Sequence, residues 1–252
     1  MEKFVILSDR RSGTTLLIDA LTSHPDVSCV KRAFGQERRI KNPTPDHHSG
    51  TFFLYRTANL TRRLQFHFQR VDLIRGFLND EIFASPPDKS VKGFRLIYAQ
   101  AEQYPELVKL LQSEQLKVIH LVRENILKTY ISTITAPLHK MHHPRTGDTI
   151  KIVTIRLDPA ETLAQLEKRA GQIQRMRNIF SSAPYLEVSY ENFSADREKE
   201  SERILPFLGL HNESPLHSDL VKINPDSLRD IIENYSEIED ALKNTAFEHL
   251  LS

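Results

Sequence analysis

The segment from Phe4 to Leu17 (FVILSDRRSGTTLL) constrains the fold of this chain more than any other segment. Four apolar residues, Phe4 to Leu7, form a short run that is typical of a strand buried on both faces. A polar turn follows from Ser8 to Gly13, and from Thr14 onward the apolar residues recur at helical spacing. The segment therefore predicts a strand, a short loop and a helix in direct succession.

The loop of this unit is suited to hold an anionic group. A loop that leads into a helix directs several backbone N–H groups and the positive end of the helix dipole at one point. Gly13 permits close approach or a positive φ. Ser12, Thr14 and Thr15 add hydroxyl donors. Arg11 adds a guanidinium whose donors match anionic oxygens. The alternative is a Ser/Thr-rich helix cap without a ligand, but that would not explain two adjacent arginines.

Composition places the chain among ordinary globular proteins and makes any anion site a local feature. The 252 residues can bury the core of one domain, which we expect to span residues 1–252. The formal net charge is +1, so no global field favours nucleic acid or a membrane surface. The single cysteine, Cys29, excludes an internal disulfide and a cysteine-based zinc cluster. No apolar run approaches the roughly 20 residues of a membrane span, and the chain begins directly with a strand, so we expect a cytoplasmic protein.

A second strand–helix junction carries another pair of anion-binding side chains. Lys117 to Val122 is a predicted strand, and Arg123 stands where that strand ends. Asn125 begins the next helix, in which Ser132 lies nine residues after Arg123. Both side chains could reach one phosphate group. The alternative is an arginine paired with a carboxylate and a helical serine bonded to a backbone carbonyl.

These two junctions resemble the cofactor motifs of sulfotransferases. RSGTT, residues 11–15, resembles the loop that binds the 5′-phosphosulfate of 3′-phosphoadenosine 5′-phosphosulfate (PAPS). It is not the loop of nucleoside-triphosphate enzymes, because the first glycine and the lysine of that motif are missing. LVRENILKTYIS, residues 121–132, resembles the 3′-phosphate motif of bacterial-type and carbohydrate sulfotransferases. Weaker similarity extends to residues 23–26, 93–94, 190–191 and 232–235.

The resemblance implies a fold, a reaction and a set of site residues. The fold would be α/β, a three-layer, P-loop-like, doubly wound parallel sheet with helices on both faces. The reaction would move a sulfo group from PAPS, without a metal, to a hydroxyl or amine of a small molecule, such as a secondary metabolite, or of a sugar. Adenosine 3′,5′-bisphosphate (PAP) would be the product, and Arg11 would stabilise the charge that develops on it. The implied cofactor-binding residues are Arg10, Arg11, Ser12, Gly13, Thr14, Thr15, Arg123 and Ser132.

The general base is where this chain departs from the resemblance. Related enzymes carry a glutamate that aligns with position 32, and here the residue is Arg32, which cannot accept a proton at neutral pH. We predict Glu37, five residues further on the same loop, as the base. The alternatives are no protein base at all or one of five histidines: His47, His48, His139, His142 and His143. Residues 31–50 and 136–150 are the predicted acceptor-side loops.

Two other functions remain open at this level. The first is a catalytically silent PAPS-binding protein that has lost its base, and the second is a P-loop kinase. The acceptor and the oligomeric state cannot be derived from the sequence.

The remaining predictions concern secondary structure. Phe4–Leu7 and Val118–Val122 should be the central strands, which would place Arg11 and Arg123 at one edge of the same crevice. Residues 55–83 should be helical, and residues 150–157 should form a strand. Asp158 and Pro159 should begin a long helix that ends near Phe180. The predicted buried stripe of residues 55–83 consists of Leu60, Leu64, Val71, Ile74, Phe77 and Leu78.

Overall fold

A parallel β-sheet forms the centre of the computed structural model, which describes residues 1–35, 51–84, 86–138, 152–211, 216–220 and 227–251. In these residues the sheet has five strands, all parallel to their neighbours, in the order β2-β3-β1-β4-β5. The strands are β1 (Glu2–Ser8), β2 (Val27–Val30), β3 (Val91–Ile97), β4 (Lys117–Val122) and β5 (Tyr185–Ser189). The two predicted central strands, β1 and β4, are therefore direct neighbours, and β1 occupies the middle of the sheet.

Helices cover both faces of this sheet. They are α1 (Thr14–Thr22), α2 (Phe52–Thr57), α3 (Leu60–Phe68), α4 (Arg70–Phe77), α5 (Tyr98–Gln103), α6 (Pro105–Ser113), α7 (Ile126–Thr135), α8 (Pro159–Phe180), α9 (Tyr190–Ala195), α10 (Arg197–Phe207) and α11 (Tyr235–Leu242). A π-helical segment, Leu78–Phe83, and two 3-10 turns, Leu228–Asp230 and Glu248–Leu251, complete the described elements. The predicted α/β fold, with a doubly wound parallel sheet between two helical layers, is confirmed.

The alternation of side chains in β1 produces the two faces of the core. Phe4 and Ile6 pack with α1, α9 and α10, whereas Val5 and Leu7 pack with α2, α4, α5 and α6. All four side chains are completely buried, as expected for a parallel strand covered on both sides. A third apolar cluster joins α7, α8 and α11 beside the sheet. This cluster anchors α7, the helix that carries Ser132.

The predicted long helix at residues 55–83 is wrong in its continuity and in part of its buried stripe. Asn59 interrupts it by capping a new helix, because its side chain accepts a hydrogen bond from the backbone N–H of Arg62. The chain therefore forms α2, α3, α4 and the π-helical segment. Leu60 and Leu64 of α3 are 72% and 51% exposed, whereas Ile74 and Phe77 are buried as predicted. Helical periodicity identifies an apolar stripe but does not show whether that stripe meets the sheet.

The strand predicted at residues 150–157 is not formed by the described part of that range, residues 152–157. Only one isolated bridge occurs there, between Ile155 and Ile232. The amide of Asn234 takes the place of a neighbouring strand: it accepts from the N–H of Leu157 at 3.0 Å and donates to the carbonyl of Leu157 at 2.8 Å. The following helix begins as predicted, because Asp158 accepts from the N–H of Glu161 at 2.7 Å.

Within the ranges given above, no helix combines the length and the apolar character that a membrane span needs.

Candidate active site

The loop between β1 and α1 is a tight turn with two residues in the left-handed region. Arg11 has a φ of 64° and Gly13 has a φ of 84°, and a positive φ is uncommon for a residue that carries a side chain. The hydroxyls of Ser8 and Thr14 are buried and lie 2.8 Å apart, which ties the end of the strand to the first residue of the helix. Helix α1 has no side-chain cap. Its first N–H groups are therefore available to an external anion.

Tyr190, at the start of α9, packs against this loop from the other side of the crevice. A Cβ atom at Gly13 would lie 2.1 Å from Cδ2 of the Tyr190 ring, so only glycine fits beside it. The guanidinium carbon of Arg123 lies 4.9 Å from the centroid of the same ring. Tyr190 therefore packs against both predicted phosphate motifs. It appeared among the sequence similarities, but nothing in the sequence pattern assigned it a role in the site.

The two predicted motifs contact each other directly. Nε of Arg11 donates to the hydroxyl of Ser132 at 3.1 Å. Nη1 of Arg123 donates to the carbonyl oxygen of Arg11 at 3.3 Å. The structure thus brings together residues more than 110 positions apart, at the carboxyl ends of the neighbouring strands β1 and β4. The prediction that Arg11 and Arg123 share one crevice is confirmed.

Positive charge is concentrated in this crevice. The pKa of Arg11 is lowered first by burial and then by the charge of Arg123. Two guanidinium groups this close raise each other's electrostatic energy, and an anion bound between them would lower it. Ser12 is only 3% exposed, Thr15 is half-buried, and Arg10 is exposed beside the loop. The anion site at this loop stays a prediction.

Asp9, the carboxylate nearest to the loop in sequence, serves to position it. It accepts a hydrogen bond from the N–H of Arg10 at 2.6 Å and forms an ion pair with Arg169 of α8. Arg169 also donates to the hydroxyl of Thr133 in α7 at 3.3 Å. The ion pair holds the Asp9 carboxylate against α8 and, through the N–H of Arg10, fixes the start of the loop. No local sequence pattern indicates Arg169, because it is 160 residues away from Asp9.

The start of α7 is fixed by a carboxylate from α9. Glu191 accepts hydrogen bonds from the backbone N–H groups of Glu124 at 2.9 Å and Asn125 at 3.2 Å. Asn125 caps the helix by accepting from the N–H of Lys128 at 2.9 Å, and it donates to the carbonyl of Leu250 at 2.9 Å. These bonds hold the segment that presents Arg123 and Ser132.

The predicted base and its alternatives lie outside the described residues. They are Glu37, His47, His48, His139, His142 and His143. Within the described ranges, no group of three or more His, Cys, Asp or Glu side chains is placed to hold a metal ion.

The sequence of this chain matches a family that has the predicted activity. The model described as "Sulfotransferase family" matches residues 4–214. Because this span is most of the chain, the chain belongs to the sulfotransferase family, and the predicted class of enzyme is confirmed. No curated protein sequence matches the chain significantly.

Two solved structures show how far the similarity extends in three dimensions. A sulfotransferase from Alicyclobacillus acidocaldarius is 17% identical, with a TM-score of 0.48 over 100% of this chain and 96% of that one. A mouse sulfotransferase, SULT7A1, was solved in complex with PAP and is 14% identical, with a TM-score of 0.44 over 84% of this chain and 61% of that one.

Proposed function

We propose that this protein transfers the sulfo group of PAPS to a hydroxyl or amine of a small-molecule or sugar acceptor. Membership of the sulfotransferase family supports the transfer of a sulfo group. The observation that carries the proposal is the direct contact between the two motifs, in which Arg11 donates to Ser132 and Arg123 donates to Arg11. A nucleotide with phosphate groups at both its 3′ and 5′ positions is the ligand that such a double site would suit.

Each motif would hold one end of the nucleotide. The N–H groups at the start of α1 and the side chain of Arg11 would bind the 5′-phosphosulfate. Arg123 and Ser132 would bind the 3′-phosphate. The left-handed Gly13 and the uncapped α1 fit this assignment, because the first N–H groups of the helix have no side-chain acceptor and can bind an oxyanion.

The reaction would exchange one bond to sulfur for another. The acceptor oxygen or nitrogen forms a bond to sulfur as the bond between sulfur and the bridging oxygen breaks, and that oxygen leaves with PAP. Negative charge grows on the bridging oxygen, where Arg11 and the N–H groups of α1 would stabilise it. The acceptor's proton would pass to a base. Glu37 stays our prediction for that base, with the five histidines as alternatives, and Asp9 is already paired with Arg169.

A catalytically silent PAPS-binding protein is the second candidate. The observation that favours it is Arg32, which stands at the position where the resemblance places a glutamate base. A transfer assay with radiolabelled PAPS and a panel of hydroxyl and amine acceptors separates the two candidates. Labelled product supports the enzyme, and nucleotide binding without any product supports the silent protein.

The proposal is tested by the effect of Arg123→Ala on two nucleotides that differ in the 3′-phosphate. We expect PAP to bind more weakly by about 1.5–3 kcal/mol, because a charge-assisted contact to the 3′-phosphate is lost. Adenosine 5′-monophosphate, which lacks that phosphate, should lose far less. Titration calorimetry measures both affinities.

Arg175→Ala is the matched control, because Arg175 is a solvent-exposed arginine whose ion-pair partner, Glu102, lies 3.7 Å away on the surface. It should leave both affinities unchanged. Equal losses for PAP and adenosine 5′-monophosphate in Arg123→Ala would contradict the 3′-phosphate role. Failure of the wild-type protein to bind PAP would refute the proposed function as a whole.

A further inference from the structure

Three arginines lie near one another at the carboxyl ends of β1, β2 and β3. Arg10 follows β1, Arg32 follows β2, and Arg95 lies near the end of β3. The register pairs Arg95 with Ile6 of β1, and β2 ends opposite Phe94. The end of β2 therefore brings Arg32 to the same edge of the sheet. Sequence analysis singled out Arg10 and Arg32 but not Arg95, which is the most deeply placed of the three.

Arg95 has no counter-ion within the described residues. Its side chain is half-buried, its Nε atom is shielded from solvent without a hydrogen-bond partner, and it forms no ion pair. Its pKa is lowered first by burial and then by the positive charges of Arg32 and Arg10. No carboxylate of the described residues contributes to this balance.

Two other partly buried arginines of this protein have carboxylate partners. Arg169 pairs with Asp9, and Arg177 donates to both oxygens of Glu187 at 2.9 and 2.7 Å. A partly buried guanidinium without such a partner loses hydration without compensation. Two further positive charges nearby increase that cost. An anion bound from outside the protein would offset this energetic cost.

The order of the strands shows on which side of the reacting centre this cluster lies. The phosphate loop follows β1, Arg123 follows the neighbouring β4, and the arginine cluster lies toward β3 and β2 on the opposite side of β1. In the proposed function, the nucleotide extends from the loop toward Arg123. An in-line displacement requires the acceptor to approach from the side opposite the leaving nucleotide. The cluster therefore borders the acceptor's side of the crevice.

We propose that Arg95 and Arg32, flanked by Arg10, bind an oxyanion of the acceptor, so that the acceptor is a hydroxyl or amine compound that also carries a negatively charged group. A guanidinium presents parallel N–H donors that match the two oxygens of a carboxylate or phosphate. Binding that group would hold the acceptor beside the sulfo group and would neutralise Arg95. This inference rests on the proposed function and specifies its acceptor class.

The test uses acceptor candidates in pairs that differ only in charge. The intact protein is saturated with PAP, which fills the nucleotide sites, and is then titrated with hydroxyl and amine compounds, each supplied as a carboxylate and as its methyl ester. Thermal shift identifies the compounds that bind, and calorimetry measures their affinities. We expect wild-type protein to bind carboxylates about ten-fold more tightly than their esters. This ratio is the one expected from a single additional charge-assisted contact.

Variants assign that preference to the cluster. Arg95→Gln and Arg32→Gln should each abolish the preference for the carboxylate while the affinity for PAP stays unchanged. Arg95→Lys keeps the charge but loses the paired donors, so it should retain part of the preference. If Arg95→Gln fails to fold, Arg95→Lys replaces it as the variant that tests Arg95. Arg175→Gln, which removes an exposed charge on α8 that is paired with Glu102, should behave as wild type.

Three results would overturn the proposal. The first is a panel in which no carboxylate binds wild-type protein more tightly than its ester. The second is a carboxylate preference that survives in both Arg95→Gln and Arg32→Gln. The third is a loss of affinity for PAPS, but not for PAP, in Arg95→Gln, which would assign the cluster to the sulfo group of the donor. If wild-type protein fails to bind PAP at all, the proposed function fails first, and this outcome is distinct from the other three.

Discussion

Gly13 is the residue that most constrains the shape of the predicted phosphate site. Its φ of 84° is one that residues with a side chain rarely adopt. The ring of Tyr190 occupies the place where a Cβ atom would be, and Arg123 stacks on that ring. The absence of a side chain at one position thus allows a contact between the loop and the 3′-phosphate motif.

Gly13→Ala should therefore weaken both the fold and the site. The added methyl group would displace the Tyr190 ring and, with it, Arg123. We expect the free energy of unfolding to fall by about 1–3 kcal/mol. We expect PAP to bind about ten-fold more weakly, since at least one charge-assisted contact is misplaced. Chemical denaturation and titration calorimetry measure the two effects.

Gly171→Ala provides the control within the same protein. Gly171 lies in α8, and a Cβ atom there would have no neighbour within 4 Å. Alanine should keep the affinity for PAP and stabilise the helix by up to about 1 kcal/mol. If Gly13→Ala binds PAP as tightly as Gly171→Ala does, the packing of Tyr190 against the loop is not needed for binding.

The residues of the site differ in how far the sequence could predict them. Arg11 and Arg123 each stand at a junction of strand and helix, so the local pattern was enough to place them at one edge of a parallel sheet. Arg169 reaches Asp9 from a helix 160 residues away, and Arg95 lies inside a strand whose other residues, apart from Lys92, are apolar or glycine. Their contacts depend on how the layers pack, and no local pattern contains that information.

At the scale of single elements, the start of α7 controls the second half of the site. The first N–H groups of a helix have no partner within the helix. The side chain of Asn125 accepts from one of them, the N–H of Lys128, and Glu191 accepts from the N–H groups of Glu124 and Asn125 just before the helix. Arg123 precedes this capped turn directly, so its position depends on the same bonds.

Glu191→Gln should lower the free energy of unfolding by about 1 kcal/mol. A glutamine has one acceptor oxygen where glutamate has two, so one N–H group at the start of α7 loses its partner. Glu124→Gln is the matched control. It also replaces a glutamate by glutamine near the start of α7, but the backbone bonds to Glu191 stay in place. Denaturant titration compares the two variants. Equal stabilities would show that Glu191 does not cap the helix.

Local sequence patterns predicted where helices begin better than they predicted which helix faces are buried. The start of α8 was predictable because Asp158 and Pro159 are local signals of a helix start. The burial of α3 was not, because its stripe of Leu60, Leu64 and Phe68 has helical spacing and yet is exposed. Spacing predicts a helix with an apolar face. Only the path of the chain decides whether that face reaches the core.

At the scale of the whole molecule, one buried histidine links two strands and two covering helices. His120 of β4 is fully buried, with Nε2 lying 2.6 Å from the hydroxyl of Tyr98 and Nδ1 lying 2.5 Å from the hydroxyl of Tyr185. Tyr185 of β5 donates to Glu187 at 2.8 Å, and Arg177 of α8 donates to the same carboxylate. Tyr98 is the first residue of α5, so the network joins β4 and β5 to α5 and α8.

This network assigns the proton on the neutral histidine. The hydroxyl hydrogen of Tyr185 goes to Glu187, so Tyr185 accepts from Nδ1–H of His120. Nε2 of His120 therefore accepts from the hydroxyl of Tyr98. Protonated His120 would present a second N–H donor to Tyr98, which would then have to give up its own hydrogen bond. Burial lowers the pKa of His120 to about 4, and the neighbouring charge of Glu187 opposes this only in part.

The pH dependence of stability follows from that lowered pKa. An unfolded histidine has a pKa of about 6.5, so between about pH 6.5 and pH 4 the unfolded chain binds a proton that folded His120 does not. Stability contributed by this group is complete above about pH 6.5 and declines as the pH falls. We expect the wild-type protein to lose up to about 3 kcal/mol from this source by pH 4.

His120→Gln isolates this contribution, because glutamine does not titrate. The variant should be less stable at pH 7.5, since it cannot reproduce the bonds to both tyrosines, but its stability should decline less steeply toward pH 4 than that of the wild-type protein. His67→Gln, which replaces an exposed histidine of α3, should keep the wild-type slope. Carboxylates outside this network contribute equally to all three proteins and cancel in the comparison. If denaturant titrations from pH 7.5 to pH 4 give His120→Gln the wild-type slope, His120 is not held neutral by this network, and its buried position must be explained by packing alone.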